Sequence, residues 1–281
     1  MNNLLFSIFI TAAPLVLIGT GALISEYTGT LAVFIDGIIN LGSFLCFLFV
    51  LKTGSPITGM LFATIICTLI VFGICYFTIY TKANPFLTGL GINFLSTGCI
   101  SFLSQHIFKT TSVITNYAST FTTNKFFTLP TPLAVMAWII SASILIFVEK
   151  SSWGTHLKIS GSDSEVLEAR GLNTKKYILT SWSIAASLAA FAGCIYTFRL
   201  SAFVPNIASG RGWIALSAVF IGRKKGWGTV IVLVLFALVD YATTAIQGTN
   251  IGNLSPTIFL SLPYIAALLL FIFQPNTKKR S

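Results

Sequence analysis

Charge is what this sequence lacks most. Only 9% of its 281 residues are Asp, Glu, Lys or Arg, while 55% are hydrophobic and the mean hydropathy is +0.88. A soluble domain carries about 25% charged residues because its surface must be solvated. A soluble globular fold is therefore excluded. With apolar runs of helical length, the chain is predicted to be an all-α, polytopic bundle in a lipid bilayer.

The sequence also lacks the residue clusters that carry catalysis. No P-loop pattern occurs, and the two histidines, His106 and His156, are far from each other and from any cysteine or carboxylate cluster. The five cysteines all fall within apolar runs, where they act as small hydrophobic residues. We therefore predict that the chain is not an enzyme, has no catalytic residue and no metal site, and binds no cofactor itself.

Nine apolar runs approach the roughly 20 residues that a helix needs to cross a bilayer core of about 30 Å. We predict about nine transmembrane spans, between eight and ten, in a single domain over residues 1–281. The first run lacks the basic start of a secretory signal and is expected to be a retained helix. The runs are 4–24, 31–51, 57–80, 86–107, 131–149, 177–199, 205–222, 226–247 and 256–274.

The run 205–222 is the weakest of the nine because it is interrupted by polar and helix-breaking residues. It is predicted to cross the membrane, with a broken or re-entrant helix as the alternative. The interrupting residues are Pro205, Asn206, Gly210, Arg211 and Gly212.

The distribution of Lys and Arg predicts the orientation. If all nine runs cross, one side of the membrane receives 12 basic residues and the other receives 4. The positive-inside rule then places the C-terminus and the polar segment 150–176 in the cytoplasm, and the N-terminus outside. The net charge of +10 is explained by this bias, so nucleic acid is not predicted as a partner.

The segment 150–176, called the polar loop below, contains helix signals. Ser162 or Ser164 is predicted to cap a helix over residues 165–170, and Gly171 is predicted to end it. Two turns are too short to be stable alone in water, so the helix must pack on something. Two interpretations remain open: it lies on its own membrane domain, or it docks in a groove of a cytoplasmic partner. The apolar contact would come from Val166 and Leu167.

Few ionisable residues lie within the predicted spans. Asp36 and Asn40 are four residues apart and therefore share one helix face. Asp240 lies deep in a span, and Arg211 is the obvious opposite charge. Asn93 belongs to a polar, tightly packable face of the fourth run. Each of these residues is predicted either to hold helices together or to line a solute path.

Four separated blocks resemble the permease subunits of ATP-binding-cassette importers for simple sugars, nucleosides and branched-chain amino acids. The block at 84–103 is similar to the nucleoside branch in particular, and the block at 209–230 is the most similar. The blocks read AAPLVLIGTGALISEYTGTLAVFIDGIINLGSF, NPFLTGLGINFLSTGCISFL, GSDSEVLEARGLNTKKY and SGRGWIALSAVFIGRKKGWGTV.

This resemblance implies an importer with three kinds of partner: a cytoplasmic ATPase that binds and hydrolyses ATP, a second permease subunit that is identical or homologous, and an extracytoplasmic solute-binding protein or lipoprotein. The chain would lie in the cell inner membrane and form the path for a small polar solute, with a nucleoside or related compound favoured. Its contact with the ATPase would be made by Ser162, Glu165, Val166, Leu167, Arg170 and Gly171. The path would include Asp36, Asn40, Asn93, Arg211 and Asp240.

The chain departs from the family pattern at three places. The family usually has Asn where this chain has Ala32, Glu where it has Asp36, and Ala-Ala where it has Val166 and Leu167. The first two departures put a path role for those positions in doubt, while the third retains an apolar patch. The alternatives are an ion-gradient-driven secondary transporter, for which no internal repeat is found, and the same permease class carrying riboflavin or a monosaccharide.

Overall fold

The computed structural model describes residues 2–115 and 130–247, which contain ten helices and no β-strand. The predicted all-α class is confirmed. The helices are α1 Asn2–Tyr27, α2 Ile35–Thr53, α3 Pro56–Thr81, α4 Pro85–Phe108, α5 Pro130–Lys150, α6 Ser152–Ser162, α7 Ser164–Ala169, α8 Thr174–Leu200, α9 Arg211–Ile221 and α10 Gly226–Gln247.

Seven of these helices are long and apolar enough to cross a membrane: α1 to α5, α8 and α10. Each coincides with one of the nine predicted runs, because about 20 consecutive apolar residues leave a helix as the only way to satisfy the backbone in lipid. The last predicted run, 256–274, lies outside the described residues.

The run 205–222 does not form one spanning helix. Its helical part, α9, has 11 residues and is therefore about 16 Å long, roughly half of the bilayer core. The chain enters α9 through 201–210, where Ser201, Asn206, Ser209 and Gly210 have positive φ angles. The expected interruption is therefore present, and the run forms a broken helix instead of one continuous spanning helix.

The broken segment still carries the chain from one end of the bundle to the other. Leu200 ends α8 at the end opposite to the polar loop. Lys224, just after α9, pairs with Glu26 at the C-terminal end of α1. That end of α1 lies against the polar loop, because Gly161 packs on Tyr27 and Gly29. The irregular part is covered by protein: Phe203 is 1% exposed and Ala208 is fully buried. Irregular backbone at membrane depth is tolerated under such cover.

The core lies where α1, α2 and α8 pack together. In these three helices 83%, 72% and 61% of the apolar window is buried, against 28%, 22% and 28% in α3, α4 and α5. Glycines permit the close approach: Gly42 on α2 faces Ala190 on α8 so closely that an added Cβ would lie 2.7 Å from its Cα. Small residues at such crossings are the usual basis of helix packing in membranes. The outer helices leave large apolar side chains for lipid.

Candidate functional site

The amino end of α9 is capped from another helix. Its N-cap position is Gly210, which has no side chain to offer. Asp36 on α2 takes that place: its Oδ1 accepts a hydrogen bond of 3.0 Å from the N–H of Gly212. A carboxylate at this position satisfies an unpaired amide and faces the positive end of the helix dipole. Asp36 therefore fixes where the broken span becomes helical.

Asn40 holds the irregular segment just before α9. Its Oδ1 accepts from the N–H of Ala208 at 2.9 Å, and its Nδ2 donates to Oδ1 of Asn206 at 3.3 Å. The predicted common face of Asp36 and Asn40 is confirmed, because both contact the same broken span. Together they anchor it to α2.

Asn93 binds the backbone at the start of α2, as Asp36 does at the start of α9. The N-cap position of α2 is Phe34, which cannot cap. Asn93 on α4 accepts from the N–H of Gly37 at 2.7 Å and donates to the carbonyl of Val33 at 2.9 Å. For Asp36, Asn40 and Asn93 these contacts agree with the interpretation that they hold helices together. Their role in a solute path stays a prediction.

Replacing Asp36 by alanine tests this capping contact. We expect Asp36→Ala to lower the free energy of unfolding by about 1–2 kcal/mol, because it orphans an amide at a buried helix start. Asp36→Asn should cost less, since its amide oxygen still accepts the bond. The comparison is made by thermal unfolding in detergent. Equal losses in the two variants would show that the charge, and not the acceptor, is what α9 needs.

Arg211 and Asp240 meet across the bundle, which the sequence could not show. Arg211 Nη2 lies 3.6 Å from Asp240 Oδ2, and about 30% of each side chain is exposed (27% and 30%). Nη1 of Arg211 also donates to the carbonyl of Ile207 at 3.0 Å. The guanidinium lies over the ring of Tyr196, 5.1 Å from its centroid. The contacts with Ile207 and Tyr196 hold the guanidinium beside Asp240.

This ion pair borders a cavity of ≈ 680 Å³ between α1, α8, α9 and α10. A cavity of this size holds a small molecule. The lining combines hydroxyl and charged groups with a larger apolar surface, which suits a small solute that has both polar groups and an apolar face. It consists of Ser7, Ile10, Thr11, Tyr196, Arg199, Leu200, Ile207, Arg211, Asp240, Tyr241 and Thr244.

Of the five predicted path residues, only Arg211 and Asp240 line this cavity. Asp36 and Asn40 support it through the broken span, and Asn93 lies at the other side of α2. Tyr196 and Arg199 also line the cavity but were not predicted as path residues; they stand three residues apart near the end of α8 and so share a face. Their spacing was the available signal, but the surrounding apolar run hid it.

In the polar loop, the short predicted helix is α7, and its cap differs from the prediction. Asp163 is the N-cap residue, and its Oδ1 accepts from the N–H of Val166 at 3.2 Å. The predicted serine cap is wrong because Ser162 is still part of α6 and Ser164 already belongs to α7. The predicted end at Gly171 is confirmed: its φ is +75°, and its N–H donates to the carbonyl of Glu168.

The two apolar residues of α7 point in different directions. Leu167 is fully buried, whereas Val166 is 42% exposed. Leu167 therefore fastens α7 to its own chain, and the pair does not form a single exposed contact. Val166 remains on the surface. The other predicted coupling residues, Ser162, Glu165, Arg170 and Gly171, are all exposed.

The polar loop is joined to the broken span through the end of α1. Gly161 on α6 packs against the carbonyl of Tyr27, and an added Cβ would also lie 2.6 Å from the nitrogen of Gly29. Lys158 lies over the Tyr27 ring at 4.9 Å. Next to Tyr27, Glu26 is 8% exposed and its Oε1 lies 2.6 Å from Nζ of Lys224. A displacement of α6 would therefore reach the end of α9.

The chain matches a family described as "Branched-chain amino acid transport system / permease component" over residues 4–273. Among individual relatives, it is 24% identical over 287 residues to the nucleoside ABC transporter permease protein NupC of Lactococcus lactis, covering 94% of this chain and 89% of that one. It is 25% identical over 243 residues to the putative glucose ABC transporter permease protein TsgC13 of Haloferax volcanii, covering 82% and 73%.

A third relative, the uncharacterized MG121 homolog of Mycoplasma pneumoniae, is 27% identical over 212 residues, which is 72% of this chain and 65% of that protein. Among solved structures, PsaBC from Streptococcus pneumoniae in complex with Fab superimposes with a TM-score of 0.53 at 12% identity. The alignment covers 97% of this chain and 92% of the other. At that identity the likeness shows a shared fold.

Proposed function

The chain belongs to the permease family of branched-chain amino acid transport systems, and we propose on this premise that it is the transmembrane subunit of an ATP-binding-cassette importer. The observation that carries the proposal is the position of α7. It is anchored to the bundle by the buried Leu167, yet it presents the exposed Val166 away from it. A cytoplasmic ATPase would hold this exposed side of α7, and the hydrolysis of ATP would occur in that partner.

We propose that the end of the bundle carrying the polar loop faces the cytoplasm. What supports this orientation is the position of the basic residues, because Lys and Arg accumulate on the cytoplasmic side. Lys224 is tied to this end through Glu26. Of the described basic residues, Lys82, Lys150, Lys158, Arg170, Lys175, Lys176, Arg223, Lys224 and Lys225 lie at this end, and Lys52, Lys109 and Arg199 at the opposite one.

The membrane would be the cell inner membrane, with the N-terminus outside. A cytoplasmic C-terminus requires one more crossing, by the run 256–274, which lies outside the described residues. A second permease subunit, identical or homologous, would complete the path. A solute-binding protein would deliver the solute at the end where α8 finishes.

Coupling would pass from α7 to the broken span in three contacts. Closure of the ATPase subunits would push α7 and, through their direct connection, α6. Gly161 would transmit the displacement to Tyr27 at the end of α1. The Glu26–Lys224 ion pair would then move the end of α9, and with it the ion pair at the cavity. The broken helix would give this movement a hinge, since 201–210 lacks the continuous i to i−4 hydrogen bonds of an α-helix.

The solute path would run through the cavity at Arg211 and Asp240. A small polar solute fits its hydroxyl-rich lining. A nucleoside or related compound is favoured because the nucleoside relative aligns over 94% of this chain and the glucose relative over 82%. A monosaccharide and riboflavin are the alternatives.

An ion-driven carrier is less well supported by the polar contacts. A proton-coupled carrier uses Asp, Glu or His side chains within its spans as proton relays. The two candidates are engaged: Asp36 accepts from Gly212, and Asp240 pairs with Arg211.

Binding of the detergent-solubilised chain to the ATPase of the same importer tests the docking surface. We expect Glu165→Lys and Arg170→Glu each to weaken pull-down several-fold, and Val166→Asp to abolish it, because a charge would enter an apolar contact. Lys52→Glu, at the opposite end, is the matched control and should bind as the wild type does. If binding and transport survive all three changes on α7, the docking assignment is wrong.

A further inference from the structure

Tyr196 carries a hydroxyl group with no partner in the part of the chain that the structure describes. The residue is 8% exposed and lines the cavity beside Arg211 and Asp240. A buried phenol normally finds a hydrogen-bond partner, because leaving it unpaired forfeits its hydration. Tyr196 lies in the wall of the cavity but its hydroxyl oxygen is enclosed, so a group that enters the cavity reaches it only with a small shift of the wall.

The neighbours of Tyr196 fix the position of its ring. The guanidinium of Arg211 lies over the ring at 5.1 Å and is itself held by Asp240 and by the carbonyl of Ile207. The site thus offers a cationic donor, an anionic acceptor and a phenol that can both donate and accept. The ion pair compensates its own charge, and Arg199 adds a positive charge to the same lining, so the site disfavours a cation, while the neutral solute considered below follows from the proposed function.

Neighbouring hydroxyl groups on a ring match this arrangement. Each ring hydroxyl can accept from Arg211 or Tyr196 while donating to Asp240 or Tyr196. The side chain of an aliphatic amino acid could do neither and would leave the polar groups unpaired. Further hydroxyls line the same cavity, from Ser7, Thr11, Tyr241 and Thr244.

We infer that the Tyr196 hydroxyl is a solute-binding group that recognises a ring hydroxyl of a neutral, polyhydroxylated solute, such as the ribose of a nucleoside, as it passes the Arg211–Asp240 ion pair. This inference rests on the proposed function, since it assigns the cavity to the path. It makes Tyr196 a specificity-determining residue of the permease, acting in addition to any selection by an external binding protein.

The test removes the hydroxyl from the protein and from the solute in turn. The importer, reconstituted in proteoliposomes with its ATPase and solute-binding protein, is assayed for uptake of uridine, 2′-deoxyuridine and 3′-deoxyuridine. We expect Tyr196→Phe to lower kcat/KM for uridine about fivefold, as for one lost hydrogen bond, and to leave one of the deoxy analogues nearly unaffected. The solute preferences of the binding protein cancel when the wild type is compared with Tyr196→Phe, because both permeases are assayed with the same binding protein.

Equal losses for all three solutes would overturn the inference, because they indicate a structural role. A lower thermal stability of Tyr196→Phe would also contradict it, since a hydroxyl with no protein partner contributes no stability to lose. The matched control is Tyr76→Phe, which removes a phenol that is 62% exposed on α3 and should change neither uptake nor selectivity.

The proposed function can fail separately. If the wild-type importer carries a monosaccharide instead of uridine, the same cycle is run with D-glucose and its 2-deoxy and 3-deoxy derivatives. ATP-driven uptake of a solute without ring hydroxyls would overturn the inference on Tyr196 while leaving the importer role intact. Uptake that does not require ATP would reject the importer role, and the Tyr196 cycle with the transported solute would still decide the inference.

Discussion

Substitution of Gly161 by valine is expected to reduce ATP-driven uptake to less than about a tenth of the wild-type rate while the bundle stays folded. At this position even a Cβ would collide with the carbonyl of Tyr27 and lie 2.6 Å from the nitrogen of Gly29. The larger side chain must push α6 away from the end of α1. Coupling free energies of this kind correspond to roughly 5- to 150-fold effects, so losing the contact should be conspicuous in transport.

The control is Gly98→Val on α4. Gly98 is also an exposed helical glycine, but no atom lies within 4 Å of the position that an added Cβ would take. The Gly98→Val variant also replaces a helical glycine by valine, but without a collision, and it should therefore transport normally. ATPase activity of the complex separates the possible causes: Gly161→Val should keep ATPase binding and hydrolysis but lose uptake. Normal uptake by Gly161→Val would remove Tyr27 from the coupling route.

Replacing Arg211 by glutamine is expected to destabilise the chain by about 1–3 kcal/mol. The change leaves the Asp240 carboxylate without its partner at membrane depth, where an unpaired charge costs a few kcal/mol. The expected loss is at the lower end of this range because about a quarter to a third of each side chain is exposed (27% and 30%), so solvent screens the unpaired charge. The loss is measured by thermal unfolding in detergent.

The double variant Arg211→Gln with Asp240→Asn separates the ion pair from other contacts of Arg211. Removing both charges should recover at least about 1 kcal/mol, because the unpaired carboxylate disappears. Uptake need not recover, since neutral amides replace the charged donor and the charged acceptor of the cavity. Strictly additive losses in the double variant would mean that the two side chains do not interact.

Seven spans were predictable because they depend on length and apolar composition alone. The lipid core forces a run such as 57–80 to be helical whatever its neighbours are. The common face of Asp36 and Asn40 was equally accessible, because helical periodicity is local. The broken span was not fully predictable. Gly210 and Gly212 signal an interruption, but the caps that stabilise it come from α2, a helix about 170 residues away in the sequence.

The details of the polar loop show the same limit. The sequence contains several residues able to cap a helix, and the choice of Asp163 depends on α6 extending through Ser162. Leu167 and Val166 are adjacent apolar residues whose burial differs only because α7 packs on α6 and α8 with one side. The Arg211–Asp240 pair could be guessed from charge, but the contact of Arg211 with the Tyr196 ring depends on where the segment 201–210 places the start of α9.

The dependence of uptake on ATP tests the central claim most directly. Proteoliposomes containing this chain, its ATPase, any second permease subunit and the solute-binding protein are loaded with ATP, and uptake is measured with and without ionophores that abolish ion gradients. The account predicts that uptake requires ATP and an ATPase competent to hydrolyse it, and that the ionophores leave the rate unchanged. Loss of uptake on dissipating the gradients while ATP is maintained would contradict it.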